Sequence, residues 1–196
     1  MDTLRSVDAD IVMWLNQWAG RLGPLDSAEK LIVGDYFIPV IMGLCLVAMW
    51  FAGGDPHERD GRQRAVLIAL LAVGFSNLVV LILNQHVFRP RPFVDHELTL
   101  LFYAPTDSSF PANPAAVAFA MASGSWRGSW KVGALICGLA VLWGLSRIYA
   151  GVFYPSDVVA GALIGVGITH LAALVFGLIE PLPTMVLRAT RTLHLA

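Results

Sequence analysis

Five long stretches of the chain contain no Asp, Glu, Lys or Arg. They are Tyr36–Gly54, Ala65–Phe88, Ser108–Trp126, Val132–Ser146 and Val158–Ile179. A helix needs roughly 17–25 predominantly apolar residues to cross the hydrocarbon layer of a bilayer, which is about 30 Å thick. The fourth stretch is short and is expected to continue past Arg147. The pattern therefore predicts five membrane-spanning helices.

The composition agrees with a membrane protein, because 57% of the residues are hydrophobic and only 14% are charged. Soluble domains carry about 25% charged residues. No stretch alternates with the period of two that is typical of a barrel strand. The predicted fold class is an all-α integral membrane protein that forms one bundle. A net charge of −1 argues against nucleic acid as a partner.

The first 35 residues differ from the rest, because Trp14 and Trp18 lie among polar neighbours. This mixture is typical of a helix at the membrane interface. Residues 7–19 either lie flat or enter the membrane as a sixth helix. The predicted divisions are an N-terminal interfacial segment, 1–35, a transmembrane bundle, 36–180, and a cytoplasmic tail, 181–196.

Basic residues in short loops mark the cytoplasmic side of a membrane protein. If the five predicted spans alternate, seven basic residues fall on one side: Arg59, Arg62, Arg64, Arg127, Lys131, Arg188 and Arg191. We expect a multi-pass protein of a bacterial-type cytoplasmic (inner) membrane. Residues 89–111 and 147–157 then face the extracytoplasmic side.

Three short blocks fall on that extracytoplasmic face. They are FRPRPFVDH at Phe88–His96, DSSFPANPAA at Asp107–Ala116 and SRIYAGVFYPSD at Ser146–Asp157. With PLDS at Pro24–Ser27, these blocks resemble the type 2 phosphatidic acid phosphatase (PAP2) superfamily of membrane lipid phosphatases. The resemblance is closest to the small bacterial undecaprenyl-pyrophosphate phosphatase branch. It implies a PAP2-type bundle of five to six helices plus an N-terminal interfacial helix.

The resemblance also implies positions for the catalytic groups, and the chain departs from the family pattern at three of them. The pattern reads K-x6-R-P, P-S-G-H and S-R-x5-H-x3-D. Its third-block histidine attacks phosphorus, its second-block histidine protonates the leaving group, and its lysine binds phosphoryl oxygens. In this chain these positions hold Phe153, Pro114 and Asn84. Since losing one member of a catalytic set can lower a rate on the order of 10⁶-fold, the family mechanism is not expected here.

Other family positions are retained. Arg91 and Arg147 match the two arginines that hold phosphoryl oxygens, and a guanidinium binds such oxygens two at a time. Asn113 is predicted to cap the third span, with Pro114 as its first helical residue. Asp157 has no histidine to orient, so we expect it to pair with Arg147 or to cap the fifth span. The predicted phosphate-binding residues are Arg91, Arg147, Asn113 and Asp157.

The pattern fixes only the second arginine of the first block, so Arg89 is interpreted as an interfacial anchor. His86 and His96 flank this block and are the alternative catalytic groups, although neither has the family spacing. His170 lies within a span, where a titratable residue is a functional candidate; we interpret it as a hydrogen-bonded packing residue. No residues have metal-ligand spacing, so we expect no metal site and no cofactor.

Small residues are predicted to form a packing face along the fifth span. They are Gly151, Ala160, Gly161, Ala162, Gly165 and Gly167.

Three functions follow from these observations. The leading hypothesis is a catalytically impaired PAP2-like protein that binds a lipid phosphate or a polyprenyl pyrophosphate at its extracytoplasmic face. The first alternative is an active lipid phosphatase or undecaprenyl-diphosphatase that uses His86 or His96. The second is a structural subunit of a membrane complex, in which the outer arginines are fully paired within the protein. The expected partner is a membrane lipid; a homo-oligomer and a membrane-complex partner both stay open.

Overall fold

A computed structural model describes residues 2–21, 23–181, 184, 185 and 187 of the chain, and most of these residues are helical. Eight helices occur in these ranges: α1 (Asp2–Asn16), α2 (Gly23–Ile32), α3 (Phe37–Phe51), α4 (Pro56–His86), α5 (Pro92–Asp95), α6 (Asn113–Trp126), α7 (Trp130–Tyr149) and α8 (Pro155–Leu178). The described residues contain no strand, and the predicted all-α class is confirmed. The predicted tail, 181–196, lies almost entirely outside them.

The long helices begin where the sequence supplies a cap. The Asp55 side chain accepts a hydrogen bond from the Glu58 backbone N–H at 2.8 Å, and Pro56 occupies the first turn of α4. An acidic N-cap satisfies an otherwise free N–H group, and proline has no N–H to leave unpaired. The fourth predicted span continues past Arg147 as expected, because α7 ends at Tyr149.

Helix α6 lies at the centre of the bundle and packs against α4, α7 and α8. Its buried residues are nearly all alanine or glycine, which lets three neighbouring backbones approach closely. A Cβ added at Gly165 of α8 would lie 2.3 Å from the Ala116 carbonyl oxygen, and one at Gly161 would lie 2.3 Å from that of Ala112. The predicted packing face is confirmed at these two glycines. It is wrong at Gly167, where an added Cβ would meet nothing within 4 Å.

The predicted set of five spans needs correction. Among the described helices, three are long and apolar enough to cross a membrane: α4, α7 and α8. The first predicted span forms a bent pair, in which Asp26–Ile32 and α3 meet at 52°, so this pair brings the number of spans to four if it crosses as one unit.

The third predicted span is also different, because α6 begins at Asn113 rather than at Ser108. Its 14 residues extend about 21 Å, less than the hydrocarbon thickness of about 30 Å. A short helix is tolerated here because α4, α7 and α8, rather than lipid alone, pack along it.

Helix α1 is attached to the end of the bundle at which α7 ends and α8 begins. Val12 is fully buried and packs against Ile148 and Tyr154. The Asn16 amide donates to the backbone carbonyls of Tyr149 at 2.8 Å and Thr99 at 2.9 Å. These contacts fix α1 beside the loops that carry the first and third sequence blocks.

Candidate functional site

The three sequence blocks meet at one end of the bundle, as predicted. The Ser109 N–H donates to the Arg89 carbonyl at 3.0 Å, which joins the second block to the first. The Ala112 N–H donates to the Asp157 carbonyl at 3.0 Å, which joins the second block to the third. The segments between α4 and α6 and between α7 and α8 therefore form one continuous surface above α6.

Arg91 is held inside this surface, with 4% of its area exposed. Its Nε donates to the Asp107 carbonyl at 3.1 Å, Nη2 to the Asp107 carboxylate at 2.8 Å and Nη1 to the Val152 carbonyl at 3.2 Å. The guanidinium carbon lies 4.4 Å from the centre of the Phe153 ring. The Asp107 side chain is 65% exposed, so a buried cation is paired with a carboxylate at the surface.

Arg147 is also buried, with 3% of its area exposed, and is paired with the carboxylate of Asp35. Its guanidinium carbon lies 4.3 Å from the centre of the Phe102 ring. Its Nε is buried and has no hydrogen-bond partner. Arg91 is near enough for the two positive charges to repel each other. The predicted pairing of Arg147 with Asp157 is wrong, because Asp35 reaches Arg147 from the bend between α2 and α3.

Asp157 is paired instead with Arg89, which was interpreted as an interfacial anchor. Arg89 Nη1 lies 2.6 Å from Asp157 Oδ1, and Arg89 Nη2 lies 2.8 Å from Asp8 Oδ2 on α1. The other Asp157 oxygen accepts the Tyr154 N–H at 3.0 Å, so the predicted capping role at the start of α8 is confirmed. Both carboxylates are buried, at 0% exposure for Asp157 and 6% for Asp8. Arg89 therefore links α1 to the third block.

Two side chains around this linkage have shifted pKa values. Burial acts to lower the pKa of Arg89, but its hydrogen bond to Asp8 and the charge of Asp157 outweigh this effect and raise the pKa above its ordinary value. Burial, followed by the negative charge of Asp95, raises the pKa of Tyr154 to about 12. Arg89 thus stays charged and Tyr154 stays protonated at neutral pH.

The positions to which the resemblance assigns catalytic groups hold packing residues. Phe153 is 3% exposed and belongs to an apolar cluster with Val33 and Ala150. Pro114 lies in the first turn of α6. Asn84 lies near the end of α4, and its Oδ1 is buried without a hydrogen-bond partner. None of these three side chains has a lone pair that is nucleophilic toward phosphorus or a proton that dissociates near neutral pH.

The predicted capping role of Asn113 is wrong. Ala112 is the N-cap of α6, and Asn113 is already inside the helix. The Asn113 amide donates instead to the Asn77 side chain on α4 at 2.8 Å. The pair joins two helices, which the local sequence around Asn113 does not indicate.

The two alternative histidines have different surroundings. His86 is exposed at the end of α4, where Nδ1 donates to the Ile82 carbonyl at 2.8 Å. His96 lines an outer cavity of about 740 Å³ together with Arg5, Arg89 and Ser156. Neither Arg91 nor Arg147 lines this cavity. His96, but not His86, therefore lies in a space that admits a ligand.

Sequence reasoning missed four residues of this surface: Asp8, Asp35, Arg89 and Asp107. Each is charged and lies within or beside a segment that the sequence places at the membrane boundary. The available signal was charge balance. A protein that holds two buried arginines and a third partly buried one needs anionic partners for them, and these acids lie in the neighbouring segments.

This arrangement defines a helical membrane protein in which three sequence blocks meet at one end of the bundle and enclose two buried arginines. The chain belongs to the PAP2 superfamily, whose family model matches residues 65–179. The match runs from the apolar part of α4 to the end of α8. It confirms the resemblance that the three blocks indicated.

Named relatives agree with this assignment. The chain is 29% identical to Undecaprenyl-diphosphatase BcrC of Bacillus subtilis (strain 168) over 84% of its own length and 81% of that protein. It is 34% identical to Putative undecaprenyl-diphosphatase YbjG of Escherichia coli (strain K12) over 71% of each chain. The crystal structure of a transmembrane PAP2 type phosphatidylglycerolphosphate phosphatase from Bacillus subtilis superposes with a TM-score of 0.64, at 21% identity, over 93% of this chain and 90% of that one. Because the identity is only 21%, the comparison with the solved structure supports the fold alone.

Proposed function

We propose that this PAP2-family membrane protein binds a phosphorylated lipid where the three blocks meet and does not hydrolyse it by the family's histidine route. The observation that carries the proposal is the Phe153 ring, buried beneath the Arg91 guanidinium at 4.4 Å. The resemblance assigns the nucleophile to this position. An aromatic ring cannot form a phosphoenzyme intermediate.

The loss of the other two groups supports the same conclusion. Pro114 cannot protonate a leaving oxygen, and Asn84 cannot supply the positive charge of a lysine. General acid catalysis typically contributes about 10²–10⁴-fold to a rate. The missing nucleophile and acid together remove both steps of the histidine mechanism.

Binding is supported by the two arginines and by the position of their partners. Arg91 and Arg147 are buried, whereas the side chains of Asp107 and Asp35 are 65% and 43% exposed. A lipid phosphate approaching from the surface meets the carboxylates first and can replace them, because phosphate presents several oxygens in the geometry that guanidinium prefers. The unpartnered Nε of Arg147 offers one further donor.

The lipid class is proposed from the relatives, two of which are named as undecaprenyl-diphosphatases. A polyprenyl phosphate or diphosphate is therefore the proposed ligand. The predicted orientation places the site on the extracytoplasmic face of a cytoplasmic membrane.

A lipid-binding measurement on the detergent-purified protein tests the proposal. Native mass spectrometry with undecaprenyl phosphate is expected to show a bound lipid that is weakened at least about tenfold in Arg91→Ala with Arg147→Ala, since each lost charged hydrogen bond costs about 1.5–3 kcal/mol. Arg62→Ala is the matched control, because Arg62 pairs with Glu58 at the opposite end of the bundle. Unchanged affinity in the double variant rejects the binding site. If the wild type hydrolyses undecaprenyl diphosphate with multiple turnovers, the proposal that the protein lacks hydrolytic activity is rejected.

A phosphatase that uses His96 is the second candidate, and it is favoured by the cavity that His96 shares with Arg89 and Ser156. It predicts phosphate release that His96→Ala abolishes. His86→Ala is the control, because His86 does not line that cavity.

A structural role in a membrane complex is the third candidate. It is favoured by the pairing of Arg89, Arg91 and Arg147 with internal carboxylates. It predicts no lipid-phosphate binding at this surface, so the same mass-spectrometric experiment separates it from the leading proposal.

A further inference from the structure

A second cavity lies near the opposite end of the bundle from the three blocks, between α6, α7 and α8. Its volume is about 380 Å³, and its walls are mostly apolar. The polar groups that line it are Ser123, Arg127 and His170, and none of its lining residues is acidic. A mostly apolar pocket of roughly 300–1,000 Å³ with a few convergent polar groups is typical of a small-molecule site.

Arg127 supplies the cavity with a positive charge that lacks a counterion. Nearby basic residues at this end of the bundle are compensated: Arg62 pairs with Glu58, and Arg64 pairs with Asp60. The backbone N–H of Arg127 donates to the Gly124 carbonyl at 3.2 Å, but its guanidinium has no hydrogen-bond or ion-pair partner within the part of the chain that the structure describes. An anionic group is therefore the complement that this cavity lacks.

His170 supplies a hydrogen-bond acceptor. Its Nδ1 lies 2.9 Å from the Val166 carbonyl, which is an acceptor, so Nδ1 carries the proton and donates it to that bond. In the neutral ring the other nitrogen, Nε2, is then an acceptor. The predicted hydrogen bond of His170 is observed, but the predicted packing role is wrong because the residue is exposed. The bond occupies one nitrogen and leaves the second without a partner in the described structure.

The two groups are within reach of one ligand. Thr169, the residue before His170, donates a hydrogen bond to the Ala120 carbonyl at 3.4 Å. This contact places His170 beside the part of α6 around Ala120. Seven residues separate Ala120 from Arg127, about 10 Å along a helix. The long arginine side chain spans much of this distance, and both groups line the same cavity.

We propose that this cavity binds the head group of a lipid phosphate monoester from the membrane leaflet at this end of the bundle. The charged phosphate oxygens bind Arg127 and the Ser123 hydroxyl. The remaining P–O–H donates to His170 Nε2, and the lipid chain leaves the cavity toward the bilayer. A phosphate diester has the negative charge but no P–O–H, so it matches Arg127 and fails to match His170.

The two cysteines of the chain allow a local measurement of occupancy. Cys137 lines the cavity, whereas Cys45 lies on α3 and does not. In nanodiscs of phosphatidylcholine with increasing phosphatidic acid, alkylation of Cys137 by N-ethylmaleimide is expected to slow about fivefold, the factor for a ligand at four times its Kd. Alkylation of Cys45 serves as the internal control and is expected to stay constant.

Lipid and protein variants separate the parts of the proposal. Phosphatidylmethanol, an anionic diester, is expected to protect Cys137 less than phosphatidic acid in the wild type and equally in His170→Leu. Arg127→Gln is expected to lose protection by both lipids. Lys131→Gln is the control for charge, because Lys131 lies over the Trp130 ring and does not line the cavity.

Three outcomes overturn the proposal. They are equal protection in pure phosphatidylcholine, full protection in Arg127→Gln, and equal protection by the two anionic lipids in the wild type. Because Cys137 reports only on this cavity, its protection is independent of lipid binding at the surface formed by Arg91 and Arg147.

Discussion

Arg89 Nη1 lies 2.6 Å from Asp157 Oδ1, so the aspartate to which the resemblance assigns a histidine partner is held by an arginine. The second guanidinium nitrogen binds Asp8 of α1 at 2.8 Å. The position to which the resemblance assigns the nucleophile is filled by Phe153, which packs in an apolar cluster. Asp157, to which the resemblance assigns the orienting role, thus helps to join α1 to the start of α8 through Arg89.

Removal of Arg89 is expected to destabilise the protein strongly. Arg89→Met leaves the buried carboxylates of Asp8 and Asp157 without a counterion, and breaking a buried ion pair costs about 3–5 kcal/mol. Thermal unfolding in detergent measures the effect. Combining Arg89→Met with Asp8→Asn and Asp157→Asn is expected to recover much of the loss, since the amides remain hydrogen-bonding groups. Arg5→Met, at an exposed residue of the same cavity, is the control; an equal effect of the two arginine variants would contradict the prediction.

The contact between α6 and α8 predicts different effects for two glycines on one helix. A Cβ at Gly165 would lie 2.3 Å from the Ala116 carbonyl, whereas one at Gly167 meets nothing within 4 Å. Gly165→Ala is expected to lower the free energy of unfolding by about 1–3 kcal/mol through overpacking. Gly167→Ala is expected to leave it unchanged or raise it slightly, because alanine favours helix. Denaturant titration measures both, and an equal loss in the two variants would show that the close approach does not limit packing.

The raised pKa of Tyr154 predicts a loss of stability at alkaline pH. An unperturbed tyrosine titrates near 10, and burial raises the pKa of Tyr154 to about 12. The folded state therefore holds this proton more tightly than the unfolded state. The contribution to stability is complete below about pH 10 and is lost as the pH rises toward 12. Tyr154→Phe is expected to show a shallower decrease than the wild type in this window.

The control for this measurement is Tyr36→Phe, because the Tyr36 side chain is 82% exposed. It should retain the wild-type dependence on pH. A Tyr154→Phe protein whose stability falls as steeply as the wild type between pH 10 and 12 would exclude the assigned role.

The local sequence predicts most of the long helices, but it does not predict which residues of different segments contact each other. Charge-free length predicts α4, α7 and α8, because a long apolar helix is satisfied by its own backbone hydrogen bonds. The same criterion overestimates the length of α6, because a charge-free run of small residues is compatible with a short central helix as well as with a membrane span. The bend before α3 follows a break at Gly34 and Asp35, which length alone does not indicate.

The candidate site likewise combines features that the sequence predicts with contacts that it does not predict. The order of the blocks predicts that Arg91, Arg147 and Asp157 lie at the same end of the bundle, and this is observed, although all three are buried. The pairings of Arg89 with Asp8 and of Arg147 with Asp35 join residues 81 and 112 positions apart. Such contacts depend on how α1 and the α2–α3 bend pack against the bundle, which no local pattern encodes.

Neutralising one surface carboxylate is expected to strengthen lipid-phosphate binding, if phosphate replaces carboxylate at the arginines. Asp107 is largely exposed, so its pair with Arg91 is worth at most about 1 kcal/mol. Asp107→Asn is therefore expected to raise the affinity for undecaprenyl phosphate up to about fivefold. Native mass spectrometry or a lipid titration in detergent measures the change. Asp10→Asn, at an exposed residue of α1, is the control for the general loss of one negative charge. If Asp107→Asn binds the lipid more weakly than Asp10→Asn does, Asp107 supports the ligand rather than competing with it.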